Sequence, residues 1–334
     1  MFYENIKSPI TKKLYVKHLD LFLNYLKSKE YDDILALPDK QIQGLVEDYI
    51  LELKKRDDLS PNSIPIMLGG VQHFLVMNDK IINWKKINKF FPEKIQSTGK
   101  KAWATRDVQK MLGVCTTLRA KAILLTLTST GMRARAITEL KVGDITEWRK
   151  SGKFGESTAT GCKKVVIYAG AKEQYIGFLT PETSQALDEY LDKRRADGEN
   201  IDTNSPLFRN TYGKETVNKV KPLDYYYIRE LFTTTSKKAG IVRKKESDKR
   251  YEIQNVHGFR KRYNTILKNN SKINSNIAEK LLGHKKGLDG VYFVPTEEEL
   301  YTEFEKAIDD LTIDDKARLE SKNERLELEK LESK

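Results

Sequence analysis

The chain has 334 residues, a hydrophobic fraction of 39%, a charged fraction of 32% and a formal net charge of +12. That length allows two domains, each with its own core, and the basic balance favours a polyanionic partner, since Lys and Arg gain affinity by displacing phosphate counterions. There is no apolar run near 18 residues and no apolar core of a secretory signal in "MFYENIKSPITKK", so no membrane span and a cytoplasmic protein are expected. Cys115 and Cys162 stand alone, with no Cys/His ligand spacing, so neither a disulfide framework nor a zinc site is indicated.

Residues 8–91 read as a bundle of about four helices. Tyr15, Leu19, Phe22 and Leu26 form one apolar stripe, and Ile42, Val46, Tyr49, Ile50 and Leu53 another, with lysines mostly off the stripes. Ser60-Pro61 reads as a helix start. The polar stretch "PEKIQSTGKK", 92–101, reads as a linker. A second domain, 102–312, opens with Thr105 as a candidate N-cap and Asp107 in the first turn. Helices continue to about 140. "KKVVIYAGAKEQYIGFLT" then alternates on both sides of a glycine-containing turn and predicts a hairpin. Helices follow over 180–195, with Pro181 near the start, and over 222–239 and 258–282. The fold class expected is mainly α with a small antiparallel sheet. The tail, 313–334, mixes acidic and basic residues without a leucine heptad, so it predicts a charged helix rather than a coiled coil.

Candidate chemistry is scattered through the second domain. In "TSTGMRARAITELKVGDI", Gly131 breaks an apolar helix and Arg133 stands at the start of the next, where free backbone N–H groups and a guanidinium fork suit an anion. Lys172 sits in the hairpin turn. His257 and Arg260, three apart in "HGFRKRYN", share one helix face and both donate to phosphate oxygens. His284 follows Leu-Leu-Gly, and Tyr292 comes eight residues later. Taken singly, each has an ordinary reading as a solvated or structural residue.

The four motifs "TGMRARAITELKVGDI", "AGAKEQYIGFLTPET", "HGFRKRYNTIL" and "EKLLGHKKGLDGVYF", in that order, resemble the tyrosine recombinase (phage integrase) family over nearly the whole chain. The "HGFRK" and "VYFVPTEEELYTEFEKAI" wording is most similar to integrases of archaea and archaeal viruses. The resemblance implies a two-domain architecture: a helical core-binding domain that clamps DNA, 1–91, and an α+β catalytic domain. It implies a site-specific recombinase that breaks and rejoins double-stranded DNA through a 3′-phosphotyrosine. Arg133 and Arg260 would clamp the scissile phosphate, Lys172, His257 and His284 would assist, and Tyr292 would be the nucleophile. No cofactor and no metal are expected, in keeping with a sequence that has neither a Walker A motif nor clustered carboxylates. The resemblance also implies a homo-tetramer on DNA, assembled through the C-terminal segment. There the face of Leu300, Phe304, Ala307 and Ile308 would dock on the next subunit. The first helical region begins within ten residues of Met1, so no arm-site DNA-binding domain is expected.

Three positions depart from the family pattern. Ala136 stands where an acidic residue often follows the first arginine, with Arg135 beside it, and Lys261 replaces a frequent histidine. The His284–Tyr292 interval is about one residue short, which leaves Tyr301 as a rival nucleophile. Two alternatives stay open on sequence alone: a type IB-like topoisomerase, and a DNA-binding protein without chemistry.

Overall fold

The computed structural model describes residues 4–28, 30–96, 99–151, 157–246, 250–284, 292–320 and 323. The chain divides into two compact units, Met1–Ser97 and Thr98–Lys334.

The first unit is all helical: α1 (Pro9–Tyr25), α2 (Tyr31–Leu35), α3 (Asp39–Lys55), α4 (Ile64–Met77) and α5 (Trp84–Ile87). Ser8 caps α1 by accepting from the Thr11 N–H. The stripes read from the sequence form the core, where Leu19, Phe22, Ile42, Val46 and Ile50 pack with Leu68, Val71 and Leu75 of α4. Ser60-Pro61 opens a short 3₁₀ turn, Pro61–Ser63, and the α-helix starts only at Ile64. Pro65 holds its own first turn there, as proline can where no N–H partner is required.

The second unit contains α6 (Thr105–Gly113), α7 (Leu118–Thr130), α8 (Ala134–Glu139), strands β1 (Ile145–Ser151), β2 (Ser157–Ile167) and β3 (Tyr175–Leu179), α9 (Pro181–Ala196), α10 (Tyr225–Lys238), α11 (Asn255–Asn269), α12 (Ser275–Leu281), α13 (Glu297–Glu305) and α14 (Ile308–Leu311). The antiparallel sheet has the order β1-β2-β3. The hairpin expectation covers β2 and β3, with Val165 opposite Gly177 and Ile167 opposite Tyr175. Strand β1 was not anticipated. Its "ITEWRKS" alternation is dominated by charge, so it carries little apolar signal. Both faces of the sheet are covered, as a period of two requires. Val165, Ile167, Tyr175 and Leu179 pack into one core with α7 and α9, while Cys162, Phe178 and Trp148 pack into another with α11–α13.

Two boundaries differ from the sequence reading. Thr105 is the first residue of α6 and not its cap: Asp107 reaches back to the Ala104 N–H at 3.3 Å, and the Thr105 Oγ1 instead accepts from the Arg262 guanidinium at 3.1 Å. The segment expected as one helix over 258–282 is two, because Asn274 caps α12 by accepting from the Asn276 N–H. Asparagine favours caps and turns since its side chain competes for backbone groups. Residues 99–101 of the polar stretch are ordered against the second unit: Lys101 bridges Ile253 and pairs with Glu252 at 2.6 Å.

The face of Leu300, Phe304 and Ala307 is buried in its own unit against Tyr263, Leu267 and Leu281, with Ile308 half-buried beside it. It is therefore not available for docking on a neighbour without rearrangement. The tail starts in the same way. Ile313 is buried in the other core, and Glu182 accepts from the Ile313 and Asp314 N–H groups at 2.8 and 3.0 Å. Residues 321–322 and 324–334 of the expected charged helix lie outside the described residues.

A buried triad ties α9 to the loop after it. Arg194 and Arg209, both fully buried, meet the fully buried Glu199 at 2.5 and 2.6 Å. Removing the one carboxylate leaves two uncompensated charges in a dry site. Glu199→Ala should therefore cost about 3–5 kcal/mol, as loss of one partner of a buried ion pair does, measured as a fall in urea midpoint of the full chain.

Candidate active site

The site is built on the ends of helices. Helix α7 stops at Gly131, whose φ of +58° no β-carbon-bearing residue adopts cheaply. A β-carbon there would also meet the Tyr263 side chain at 2.7 Å. The stop reverses the chain so that Arg133 becomes the N-terminal flanking residue of α8, exposed, with extended backbone.

Arg260 lies one turn into α11 and is 5% exposed. It donates from Nη1 to the Gly131 carbonyl at 3.0 Å. From Nη2 it donates to the Leu282 carbonyl at 2.6 Å and to His284 Nε2 at 2.8 Å. Burial, reinforced by the charge of Arg133 and partly offset by the facing Tyr175 hydroxyl, holds its proton affinity below that of a free guanidinium.

His284 is delivered by the end of α12. The Gly283 N–H bonds to the Lys280 carbonyl at 2.8 Å and the His284 N–H to the Glu279 carbonyl at 2.9 Å, with Gly283 at φ +66°. This is a Schellman end, and it needs glycine at the left-handed position. A β-carbon on Gly283 would also strike the Tyr175 ring at 2.4 Å. The imidazole's tautomer follows from its partners. A guanidinium only donates, so Nε2 accepts from Arg260, and Nδ1 carries the proton and gives it to the Glu279 carboxylate at 2.5 Å. Lys268 pairs with the same carboxylate. Glu279, which orients His284, was missed by sequence reasoning. Its signal was its place five residues before His284 on the helix that the Leu-Leu-Gly terminates.

His257, in the first turn of α11, opens onto the same cleft as Arg133 and Arg260, a cavity of about 760 Å³. Burial, then the charges of Lys261, Arg260 and Arg133, lower the pKa of its imidazole below 6.5. Arg229, Arg243 and Arg250 also line this cleft, and no carboxylate does so among the described residues. Like charges gathered in one cleft repel one another, so such a cleft is suited to an anion.

Residues 103–288 match the sequence pattern of the phage integrase family. The chain belongs to that family. It is a tyrosine-type site-specific recombinase, an enzyme of DNA strand transfer. No curated protein matches its sequence. Among solved structures, the recombinase is similar to the XerH site-specific recombinase bound to difH substrate in a pre-cleavage complex (14% identity, 88% of this chain and 78% of that one, TM-score 0.57). It is also similar to the Tn1549 transposon integrase in complex with transposon right end DNA (14% identity, 91% and 95%, TM-score 0.55). A lambda integrase dimer bound to a COC′ core site is a third likeness (15% identity, 86% and 89%, TM-score 0.51). At these identities the likeness is one of fold.

Within the recombinase, Arg133, His257 and Arg260 meet at the cleft, and His284 joins them through Arg260. Lys172 and Tyr292 do not line it. Lys172 is exposed in the turn between β2 and β3. Tyr292 is 79% exposed, and the shortened interval before it, 285–291, lies outside the described residues. The rival Tyr301 is 2% exposed. Its ring packs against Trp148 and Phe178 at 5.3 Å each, and its hydroxyl faces the buried Cys162 Sγ at 3.7 Å. Burial drives its pKa upward.

The departures also have local explanations. Ala136 is buried in the core, and Arg135 pairs with Glu139 at 2.6 Å, so no carboxylate braces Arg133 among the described residues. Lys261 reaches away from the cleft to the Gly99 carbonyl, and Glu246 receives the Gly99 N–H at 2.6 Å. The lysine thus fastens the start of the second unit to α11. No helix among the described residues is long and apolar enough to cross a membrane.

In the DNA-free protein the His257 imidazole should titrate with a midpoint below 6.5, being neutral above it and charged below. Lys261→Met should move that midpoint upward, because the largest of the repelling charges is removed. Proton-detected NMR titration of the imidazole checks both.

Proposed function

We propose that the recombinase cleaves one strand of a DNA duplex by attack of Tyr292 on a phosphodiester held between Arg133 and Arg260, leaving a 3′-phosphotyrosine and a free 5′ hydroxyl. The observation that carries this reading is the convergence of Arg133, His257 and Arg260 on a cleft lined, among the described residues, without carboxylates.

A tyrosine hydroxyl has a pKa near 10, so only about one in a thousand is ionised at pH 7. The reaction therefore needs an activated phosphorus and a destination for the phenolic proton. Two guanidinium groups on the non-bridging oxygens neutralise the diester and stabilise the charge of the pentavalent transition state. His257, held neutral near pH 7 by burial and its basic neighbours, is suited to accept the proton or to bind a phosphate oxygen. His284 accepts from Arg260 and so orients it. Lys172, on the hairpin turn, would protonate the leaving 5′ oxygen. The phosphoryl bond energy stays in the tyrosyl ester, and attack by a partner strand's 5′ hydroxyl rejoins DNA in a new pairing. The exposure of Tyr292 supports its assignment over Tyr301, whose burial among aromatic rings keeps it from a duplex.

Several of the similar structures are of DNA complexes, and one is of a lambda integrase tetramer bound to a Holliday junction. We extend both properties to this chain: it acts on double-stranded DNA, with the basic helical unit gripping the core site, and exchanges strands as a homo-tetramer. If the face of Leu300 and Phe304 makes the subunit contact, it must leave its own core to do so. Origin in an archaeal mobile element, with action in the host cytoplasm, is a further reading that rests on the wording of the α11 and α13 motifs.

A nicked suicide duplex, which traps the covalent adduct, tests the assignment. Tyr292→Phe should abolish the adduct and keep DNA binding, whereas Tyr301→Phe should still form it. An adduct from Tyr292→Phe would sink the nucleophile assignment. Relaxation of a single-site supercoiled plasmid without recombinants would point to a topoisomerase instead.

A further inference from the structure

The cleft holds more cationic side chains than one phosphodiester requires. Besides Arg133, His257 and Arg260, it is lined by Arg229, Arg243 and Arg250, and by Arg135, which pairs with Glu139. At about 760 Å³ it falls in the size range that takes a drug-sized ligand, well beyond a single phosphate.

The second group is organised. Arg229 projects from α10, exposed. Arg243 follows that helix and begins a two-stranded arm in which Lys245 bridges Tyr251, the Glu246 N–H bonds to the Arg250 carbonyl at 2.8 Å and the Glu252 N–H to the Lys244 carbonyl at 2.9 Å. The guanidinium of Arg243 lies over the Tyr251 ring at 4.4 Å and donates to the Ile253 carbonyl at 3.3 Å. Ring and carbonyl together fix the fork in one orientation, which lowers the ordering cost of binding a phosphate. The arm is fastened in turn through Glu246 to Gly99 and through Glu252 to Lys101. A solvated lysine fringe would need none of this support.

We propose that Arg229 and Arg243, with Arg250, form a second phosphate subsite that holds a backbone phosphate flanking the scissile one on the same strand. Two phosphates gripped at fixed separation set the position of the strand along the cleft, so that the scissile diester comes to rest on Arg133 and Arg260. The inference rests on the reading of those two arginines as the scissile clamp. The three subsite arginines are positioning residues, since they touch DNA away from the reacting atoms.

The test uses the full-length protein and duplexes of its core site carrying one uncharged methylphosphonate, moved through the phosphates on either side of the cleavage position. For the native protein, neutralising one flanking phosphate should weaken binding about 10-fold, the scale of one good arginine contact. In Arg229→Ala the same neutralisation should have an effect under about two-fold, because the partner is already gone and contacts to one group are not additive. Arg243→Lys, which keeps the charge but loses the fork, should show the same loss of sensitivity in part. If Arg229→Ala weakens binding by one factor whatever the methylphosphonate position, the arginines are a general basic surface and the subsite is refuted. Adduct yield on the unmodified duplex is read separately. Its absence would overturn the cleavage assignment, while the pairing of Arg229 with one flanking phosphate stands or falls on the binding data.

Discussion

A buried guanidinium is costly unless its donors are satisfied, and the catalytic unit is arranged around satisfying Arg260. Three of its five N–H groups are accounted for by the Gly131 carbonyl, the Leu282 carbonyl and His284 Nε2. Each acceptor belongs to the end of a helix, where carbonyls have no partner within the helix itself. The arginine therefore serves the fold as the cap of α7 and α12 while presenting the rest of its charge to the cleft. Any change that moves one helix end also moves the arginine, so site geometry and unit stability are coupled through one side chain.

The two glycines at those ends do complementary work. Gly131 ends α7 early enough for Arg133 to stand at the mouth of the cleft, and Gly283 throws His284 back over α12 toward Glu279. Both are also points of close approach, to Tyr263 and to the Tyr175 ring. A larger residue would separate the elements that Arg260 joins. The charge relay Lys268–Glu279–His284–Arg260 then fixes an imidazole tautomer with no help from a ligand. Arg133 has no such support among the described residues, in contrast to the buried Arg260 with its three acceptors.

The tyrosines illustrate where sequence reasoning reaches its limit. Tyr292 and Tyr301 stand nine apart in one region, and spacing alone does not choose between them. Burial distinguishes their surroundings: Tyr292 is exposed, and Tyr301 fills a core with Trp148, Phe178 and Phe304. The apolar face of α13 is a similar case. Leu300, Phe304 and Ala307 on one helical side reveal that the face is covered, but not by what. An amphipathic stripe has the same pattern whether it meets its own domain or another copy.

The sequence by itself determined the helical periods of the first unit, the β2–β3 hairpin, the basic balance and the order of the reactive residue types, because these depend on local spacing and residue chemistry. It missed β1, the break between α11 and α12 and the role of Glu279. A charged strand has little apolar alternation, a cap asparagine overrides a helical stretch, and a supporting carboxylate has no signature until its partner's position is known. Only the tertiary structure decided which arginines share a cleft. Arg133 comes from one segment, and Arg229, Arg243, Arg250 and Arg260 from another far along the chain. Packing of α7, α10 and α11 brings them together, and no local pattern encodes that long-range contact.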